Sequence, residues 1–345
     1  MKKNILLTFD YELFLGQRSG TVDNCLIIPS YRILEILNSN NAKAIFFIDT
    51  TYLFRLEELS HTNKRAYSDF EKIKKQLNDI AVGGHYLFHH IHPHWLDAQY
   101  LEDINQWNLS NTDRFAFTIL DDAEKDLLFT YSDGFLSEIY KQAGSTNNCN
   151  GFRAGGLFIE PFTCFKPYFE KFNIGNDFSV SPGDKIIGDK WGYDFSNCPS
   201  NRVYSFYDQV SLENKDKKFC EFPISKIKIK GITKFLNSVY YRVGLKMPQN
   251  IIHGNGQSVA DVTGITLPPR PLKNYFSVDL NISVEMLNMA LIRSYKKVIK
   301  QRHYIHFLSH PKLVSEFSLR SFNRLLKFCN KNFVCEYDFA RFDKL

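Results

Sequence analysis

Apolar and polar positions along this chain switch repeatedly between a two-residue period and a helical one. Over Asn4–Glu12, Ile5, Leu7 and Phe9 alternate with Leu6, Thr8, Asp10 and Glu12, which puts the last four on one face of a buried strand. Ser30 is placed to cap a helix carrying Ile33, Leu34 and Leu37, which ends in the Asn-rich loop Asn38–Asn41. Ala44–Ile48 reads as a second core strand closed by Asp49, and strand, helix and strand at this spacing make a βαβ unit with a parallel sheet. A helix is expected over Ser68–Asp79, with Phe70, Ile73 and Leu77 on one face, and a third strand over Tyr86–His90. Residues 96–150 read as mostly helical with polar loops, Gly151–Leu157 as a strand end and Ile174–Val180 as a further strand. Regularity is lost over 185–280, where Phe219–Ile224 and a basic stretch precede the polar segment His253–Ser258 and the extended loop expected at Pro268-Pro269-Arg270-Pro271. It returns with a helix over Ser283–Arg302, striped by Val284, Leu287, Leu291, Tyr295 and Val298. A strand at Tyr304–Ser309, a helix at Phe317–Asn330 and a closing strand at Phe333–Phe342 complete the chain. With no internal repeat and no clear linker, the expected organisation is one α/β domain over residues 1–345, with an irregular insertion around 185–280.

Composition refines this reading. At 345 residues, 44% hydrophobic and 23% charged, the chain can build a sizeable core. Its 31 Phe and 18 Tyr suit a packed sheet and also a groove for sugar rings. The net charge of +6 reads as spread along the chain, apart from short runs such as Lys215–Lys218 and Lys226–Lys230. Such charge serves a solvated face or draws the chain to an anionic glycan or membrane surface, and no nucleic-acid motif accompanies it. Seven cysteines without paired spacing point to reduced thiols in a cytoplasmic protein. Ile5–Phe9 is too short for the apolar core of an export signal, and no stretch is long enough to span a bilayer. A cytoplasmic location, with at most peripheral membrane contact, is therefore expected.

Three clusters carry chemistry, each at an expected strand end, where parallel α/β folds place their sites. In Thr8-Phe9-Asp10-Tyr11-Glu12, two carboxylates two apart share a face, so one can bind a metal while the other handles a proton. In Gly84–Trp95, five histidines, half of the chain's ten, lie within ten residues. Imidazoles with a carboxylate suit zinc and similar divalent ions and leave open positions for water and substrate. In Ser309-His310-Pro311, a histidine ends a strand, and its near-neutral pKa makes it a candidate general acid or base.

Taken in order, these segments resemble the NodB-like polysaccharide deacetylases, carbohydrate esterase family 4. Leu7-Thr8-Phe9-Asp10 is similar to the first motif of that family, and Lys43–Phe47 to its second strand. Gly84–His94 is similar to its metal motif, with the two histidines four apart falling on His90 and His94. Gly151–Gly156 is similar to its arginine motif, Glu221-Phe222-Pro223 to a later Glu-x-Pro, and Phe307–His310 to the motif supplying the catalytic histidine. Three departures stand out. Asp10-Tyr11-Glu12 replaces two adjacent aspartates, Gly155-Gly156 stands where a proline is usual, and His92 sits between the matched histidines.

The resemblance implies a distorted (β/α) barrel and metal-assisted hydrolysis of an N-acetyl or N-formyl group on an amino sugar or sugar conjugate, in surface-polysaccharide (lipopolysaccharide or capsule) assembly. It implies one divalent ion, with zinc expected, held by Glu12, His90 and His94. Strand geometry favours Glu12 as ligand and Asp10 as base, though the two can be exchanged, and His92, sharing a face with His90 on an extended strand, can replace His94. Arg153 is expected to pair with Asp10, and His310 to protonate the leaving amine from the side opposite Asp10. Tyr11, Trp95 and Phe152 are placed either to border the sugar or to pack. Two other classes are open: a catalytically inactive, deacetylase-like glycan-binding or scaffolding protein, and a glycosidase on a similar barrel, which needs a second carboxylate such as Asp177 or Glu221 across the sugar from Asp10.

Overall fold

The computed structural model describes residues 2–188, 192–215, 218–243, 247–258 and 277–342. The first half of the chain runs β1 (Lys2–Tyr11), α1 (Ile28–Ser39), β2 (Ile45–Asp49), α2 (Thr50–Ser60), α3 (Lys64–Val82), β3 (Tyr86–Ile91), β4 (Gln99–Leu101), β5 (Gln106–Asn108), α4 (Asp122–Gln142) and β6 (Gly151–Ala154). The second half runs α5 (Lys166–Lys171), β7 (Asn176–Asp177), β8 (Lys185–Ile187), β9 (Gly192–Asp194), β10 (Tyr204–Phe206), β11 (Phe219–Glu221), β12 (Lys226–Lys230), α6 (Gly231–Val243), β13 (Ser277–Asn281), α7 (Ile292–Gln301), β14 (Tyr304–Ser309), α8 (Glu316–Asn332) and β15 (Val334–Glu336). Among the described residues no helix is long and apolar enough to cross a membrane, and all seven cysteines are free thiols.

One large sheet organises the molecule, in the order β10-β11-β7-β6-β3-β2-β1-β14, with β15 also on β1. Every pairing in it is parallel except β10 with β11. The sheet curls into a distorted half-barrel, and irregular chain bridges its open side. Phe222 N–H bonds the Asp177 carbonyl at 2.9 Å, Ser225 N–H bonds the His306 carbonyl at 3.2 Å, and Leu308 N–H bonds the Ile282 carbonyl at 2.9 Å.

Alternation along the strands sorts two layers. Phe9 packs outward on Phe46 and Phe322, towards the helices. Thr8 and Asp10 face inward with Phe47, Phe88 and Arg153, since the parallel register pairs Asp10 with Phe47, Phe47 with Phe88 and His90 with Arg153. The interior grades from apolar to charged. Phe339, from the 3-10 turn Phe339–Arg341, packs against Tyr86, Phe88, Phe178 and Phe222. Arg153 lies over the Phe47 ring at 4.0 Å, and acids and histidines gather at the carboxyl ends of the strands.

Several expected elements differ, each for a local reason. Ser30 lies inside α1 and does not cap it; a π-helical turn, Asp23–Ile27, leads in instead. An unanticipated helix, α2, starts at once after β2, with Asp49 capping it by accepting from Tyr52 N–H. Residues 96–150 hold only one long helix, α4, together with the β4–β5 hairpin. The strand expected over Ile174–Val180 is the two-residue β7, and that over Phe333–Phe342 is the short β15 followed by the Phe339 turn. The helix expected from Ser283 begins only at Ile292. Ser283 N–H is bonded by Tyr295 Oη and Val284 N–H by Ser309 Oγ, while Asn288 Oδ1 accepts from Ala290 and Leu291 N–H, so side chains draw those backbone groups out of a helical ladder. The proline-rich segment 268–271 lies outside the described residues.

Candidate active site

Asp10 lies near the end of β1, and Glu12 one residue beyond it, both buried and on the same face. His90 and His92 continue that face from β3. His92 keeps an extended backbone (φ −112°, ψ 94°), so it repeats the orientation of His90. Among the described residues, one group of three metal-capable side chains converges: Glu12, His90 and His92, with ligand atoms all within 4.8 Å of one another. Glu12 Oε2 lies 2.7 Å from His92 Nε2 and 3.2 Å from His90 Nε2, and the two Nε2 atoms are 3.0 Å apart.

The far nitrogen of His90, Nδ1, donates to the Arg153 carbonyl at 2.7 Å, which fixes the ring and turns Nε2 towards Glu12. A carbonyl behind an imidazole is the usual support of a metal-binding histidine, so the residues present are compatible with a divalent ion. Burial opposes charge on His90, yet the bond to Glu12 and the neighbouring Asp10 and Asp49 raise its pKa to about 9. Burial would likewise raise the Glu12 carboxyl; the Lys312 charge and the two histidines outweigh it and hold Glu12 well below the carboxylate range.

His94 goes elsewhere. Pro93 starts a 3-10 turn, Pro93–Asp97, that rotates the chain off the strand. The His94 ring stacks on Phe115, and neither ring nitrogen has a hydrogen-bond partner. Burial, then the nearby His92, push its pKa well down, so it is a neutral ring. The structure therefore brings His92, and not His94, to Glu12 and His90.

Arg153 points from β6 into the barrel. Its Nη1 pairs with Asp10 Oδ1, Nε donates to the Phe178 carbonyl at 3.1 Å, and Nη2 reaches Thr8 Oγ1 at 2.8 Å and His306 Nε2 at 2.9 Å. His306 Nδ1 donates to the Phe222 carbonyl at 2.9 Å, leaving Nε2 as the acceptor, and burial followed by the Arg153 charge keeps this ring neutral. Asp10 thus has Oδ1 taken and Oδ2 open towards the site. His310 lies at the end of β14, with Nε2 3.7 Å from both Asp10 Oδ2 and Glu12 Oε1. Its Nδ1 is 3.0 Å from Glu285 Oε1; burial opposes protonation, but the Glu285 bond and charge overcome it and raise the pKa.

Sequence reasoning missed four members of this constellation. Lys312 Nζ donates to Glu12 Oε1 at 2.9 Å and to the Leu13 carbonyl at 2.6 Å. Glu285 carries no sequence signal, since the apolar spacing of its neighbours places it inside a helix. His306 was detectable by its spacing from His310 on a strand. Asp49, closing β2, accepts from the Trp95 indole at 2.7 Å, and burial raises its pKa. Tyr11, Trp95 and Phe152 are all buried: Tyr11 Oη donates to Gln76, Trp95 packs on Tyr52, and Phe152 packs on Phe129, so none borders an open groove. Asp177 and Glu221 are buried, bonding Ser179 and the Val180 N–H respectively. The Gly155-Gly156 departure has a steric cause: a Cβ on Gly155 would meet the Ile91 carbonyl at 2.5 Å and His92 Nδ1 at 2.8 Å.

No family model matches the chain, and a search of curated proteins finds no match. Solved structures do match over nearly its whole length. A polysaccharide deacetylase from Mycobacterium smegmatis has 14% identity and a TM-score of 0.47, over 96% of this chain and 85% of that one. The Puue allantoinase has 9% identity and a TM-score of 0.47, over 97% and 86%. The catalytic domain of a peptidoglycan N-acetylglucosamine deacetylase from Eubacterium rectale has 14% identity and a TM-score of 0.34, over 96% and 87%. In fold, the chain is similar to NodB-type polysaccharide deacetylases.

Proposed function

We propose that this protein is a metal-dependent hydrolase that removes an acyl group from an amino sugar. The observation that supports this reading is the convergence of Glu12, His90 and His92 beside an Asp10 anchored by Arg153 and a His310 anchored by Glu285. Glu12, His90 and His92 would hold one divalent ion, with zinc the expected one. When bound, it supplies Lewis acidity, polarising the acyl carbonyl and making water nucleophilic near neutral pH. Asp10 takes the water proton through Oδ2, because Arg153 occupies Oδ1 and keeps the carboxylate oriented. His310, held by Glu285, enters protonated and gives its Nε2 proton to the departing amine. Base and acid come from the paired strands β1 and β14 and stand side by side, His310 Nε2 3.7 Å from Asp10 Oδ2, and not on opposite sides of the site as expected from the sequence. The substrate we infer is an N-acetyl or N-formyl amino sugar or its conjugate, in surface-polysaccharide assembly on the cytoplasmic side.

The glycosidase reading lacks its second carboxylate, since Asp177 and Glu221 bond Ser179 and Val180 and neither contacts Asp10. The glycan-binding reading has one observation in its favour: the Lys312 ammonium already neutralises Glu12. Untagged protein assayed on N-acetylated amino sugars and on a chromogenic acetyl ester, before and after chelation, separates the two. Hydrolysis lost to chelator and restored by zinc is expected. Zinc-loaded protein that binds an acylated amino sugar yet cleaves neither substrate would leave the non-catalytic reading standing.

A further inference from the structure

Helix α6 carries its polarity inside out. Ile232, Phe235, Leu236 and Val239 recur at the spacing of a single helical stripe and face solvent, with Ile232 69% and Phe235 63% exposed. The side turned inward holds polar Asn237, 8% exposed, whose Oδ1 accepts from the buried Asn288 Nδ2 at 2.8 Å. Met289, next to Asn288, is also exposed. An ordinary surface helix buries its apolar stripe and shows water its polar residues.

Charge is concentrated on the same stretch. Residues 222–260 contain six cations (Lys226, Lys228, Lys230, Lys234, Arg242 and Lys246) and no Asp or Glu. The net charge of this segment is thus +6, as large as that of the whole chain with its 43 Lys and Arg against 37 Asp and Glu. Strand β12 buries Ile227 and Ile229 and exposes Lys228 and Lys230, and Gly231, at φ +50°, turns the chain directly into α6.

We propose that α6 docks the protein on an anionic lipid bilayer, with the stripe from Ile232 to Val239 entering the headgroup boundary and Lys228, Lys230 and Lys234 facing lipid phosphates. An exposed apolar stripe on a helix flanked by lysines is the chemistry of an interfacial helix. A symmetric contact between two copies would set Lys228 and Lys230 of β12 and Lys234 of α6 against the same three, with Asp279 beside Lys228 offsetting only part of that charge, so charge repulsion opposes it. A nucleic-acid partner would leave the apolar stripe uncovered. The docking face adjoins the site: Asn288 lies three residues beyond Glu285, which holds His310.

Co-sedimentation with vesicles tests this. The parent protein should bind vesicles containing phosphatidylglycerol at least roughly tenfold more strongly than vesicles of phosphatidylcholine alone, and added salt should release it. Phe235→Asp with Leu236→Asp should abolish binding while leaving the melting temperature close to that of the parent, because both side chains are exposed. Lys228→Glu with Lys230→Glu, which leaves the helix unchanged, should do the same and decides the matter if the first variant melts early. Equal binding to both vesicle types would overturn the proposal. So would undiminished binding by either variant, or a concentration-dependent dimer that the Phe235→Asp, Leu236→Asp protein no longer forms. Lipid binding is read without turnover, so it stands or falls apart from the hydrolase reading.

Discussion

A guanidinium withdrawn from water needs several partners, and Arg153 has an anion, two neutral side-chain acceptors, a carbonyl and an aromatic face. Removing one member of a buried charged pair typically costs about 3–5 kcal/mol, so Arg153→Met should unfold at markedly lower temperature as well as lose activity. Asp10→Asn is the gentler probe, since an amide oxygen still accepts from Arg153. It should lower turnover by roughly a hundredfold or more while zinc content stays near one per chain. Zinc lost from Asp10→Asn would exchange the roles given to Asp10 and Glu12. The third ligand can be tested the same way. His92→Ala should weaken zinc binding by at least about tenfold, whereas His94→Ala should leave zinc affinity unchanged and act on stability alone, through lost stacking on Phe115. Metal analysis by mass spectrometry of both proteins checks this, and the reverse order of loss would restore the pair spaced four apart.

Two short segments place these residues. After β6 the chain passes through Gly155 against the His92 ring, and Gly156 takes a left-handed φ of +61°. Gly155→Ala must displace either the Ile91 carbonyl or His92, at a cost of about 1–3 kcal/mol, and should lower zinc affinity together with thermal stability. Unchanged zinc binding in a correctly folded Gly155→Ala protein would detach that loop from the site. The second segment is 283–291, whose non-helical path aims Glu285 at His310. Glu285→Gln removes the charge that favours protonated His310. It should slow amide substrates by about tenfold or more and activated esters much less, because an amine must be protonated to leave and a phenolate need not be. Equal losses on both substrates would make His310 and Glu285 structural.

Across the molecule the barrel interior passes from the Phe339 cluster to the charged rim, and its packing has a pH signature away from the rim. His85 sits buried between Ala44 N–H, which it accepts at 3.2 Å, and the Phe46 ring. Burial, with a smaller effect from Lys43, lowers its pKa to about 3. In the unfolded chain the ordinary value is about 6.5. Between those values the unfolded state binds a proton that the native state refuses, so this contribution is intact above about pH 6.5 and is lost as pH falls towards 3. Thermal melts should show stability falling below pH 6.5, by up to about 1.4 kcal/mol per pH unit for one such group. A non-titrating His85→Phe protein should show a shallower slope, and identical slopes would assign the acid sensitivity elsewhere.

Much of this was legible in the chain because it is local. A two-residue alternation reports which side chains share a face, so Thr8, Asp10 and Glu12 could be grouped before any contact was known, and the βαβ spacing of 4–49 implied the parallel sheet. The dense histidines and the ordered motifs marked which strand ends to bring together. Periodicity could not report competition from distant side chains. Val284, Leu287 and Leu291 do face the core as their spacing required, but Tyr295 and Ser309 capture the backbone donors and no helix forms there. Nor could it report where Pro93 turns the chain, which decides that His92 rather than His94 meets Glu12. Lys312, Glu285 and His306 became neighbours of the site only through the position of β14 beside β1. Sequence spacing determines which face of its own element a residue takes; register and packing between elements, set by contacts some 300 residues apart such as Lys312 with Glu12, determine what it meets there.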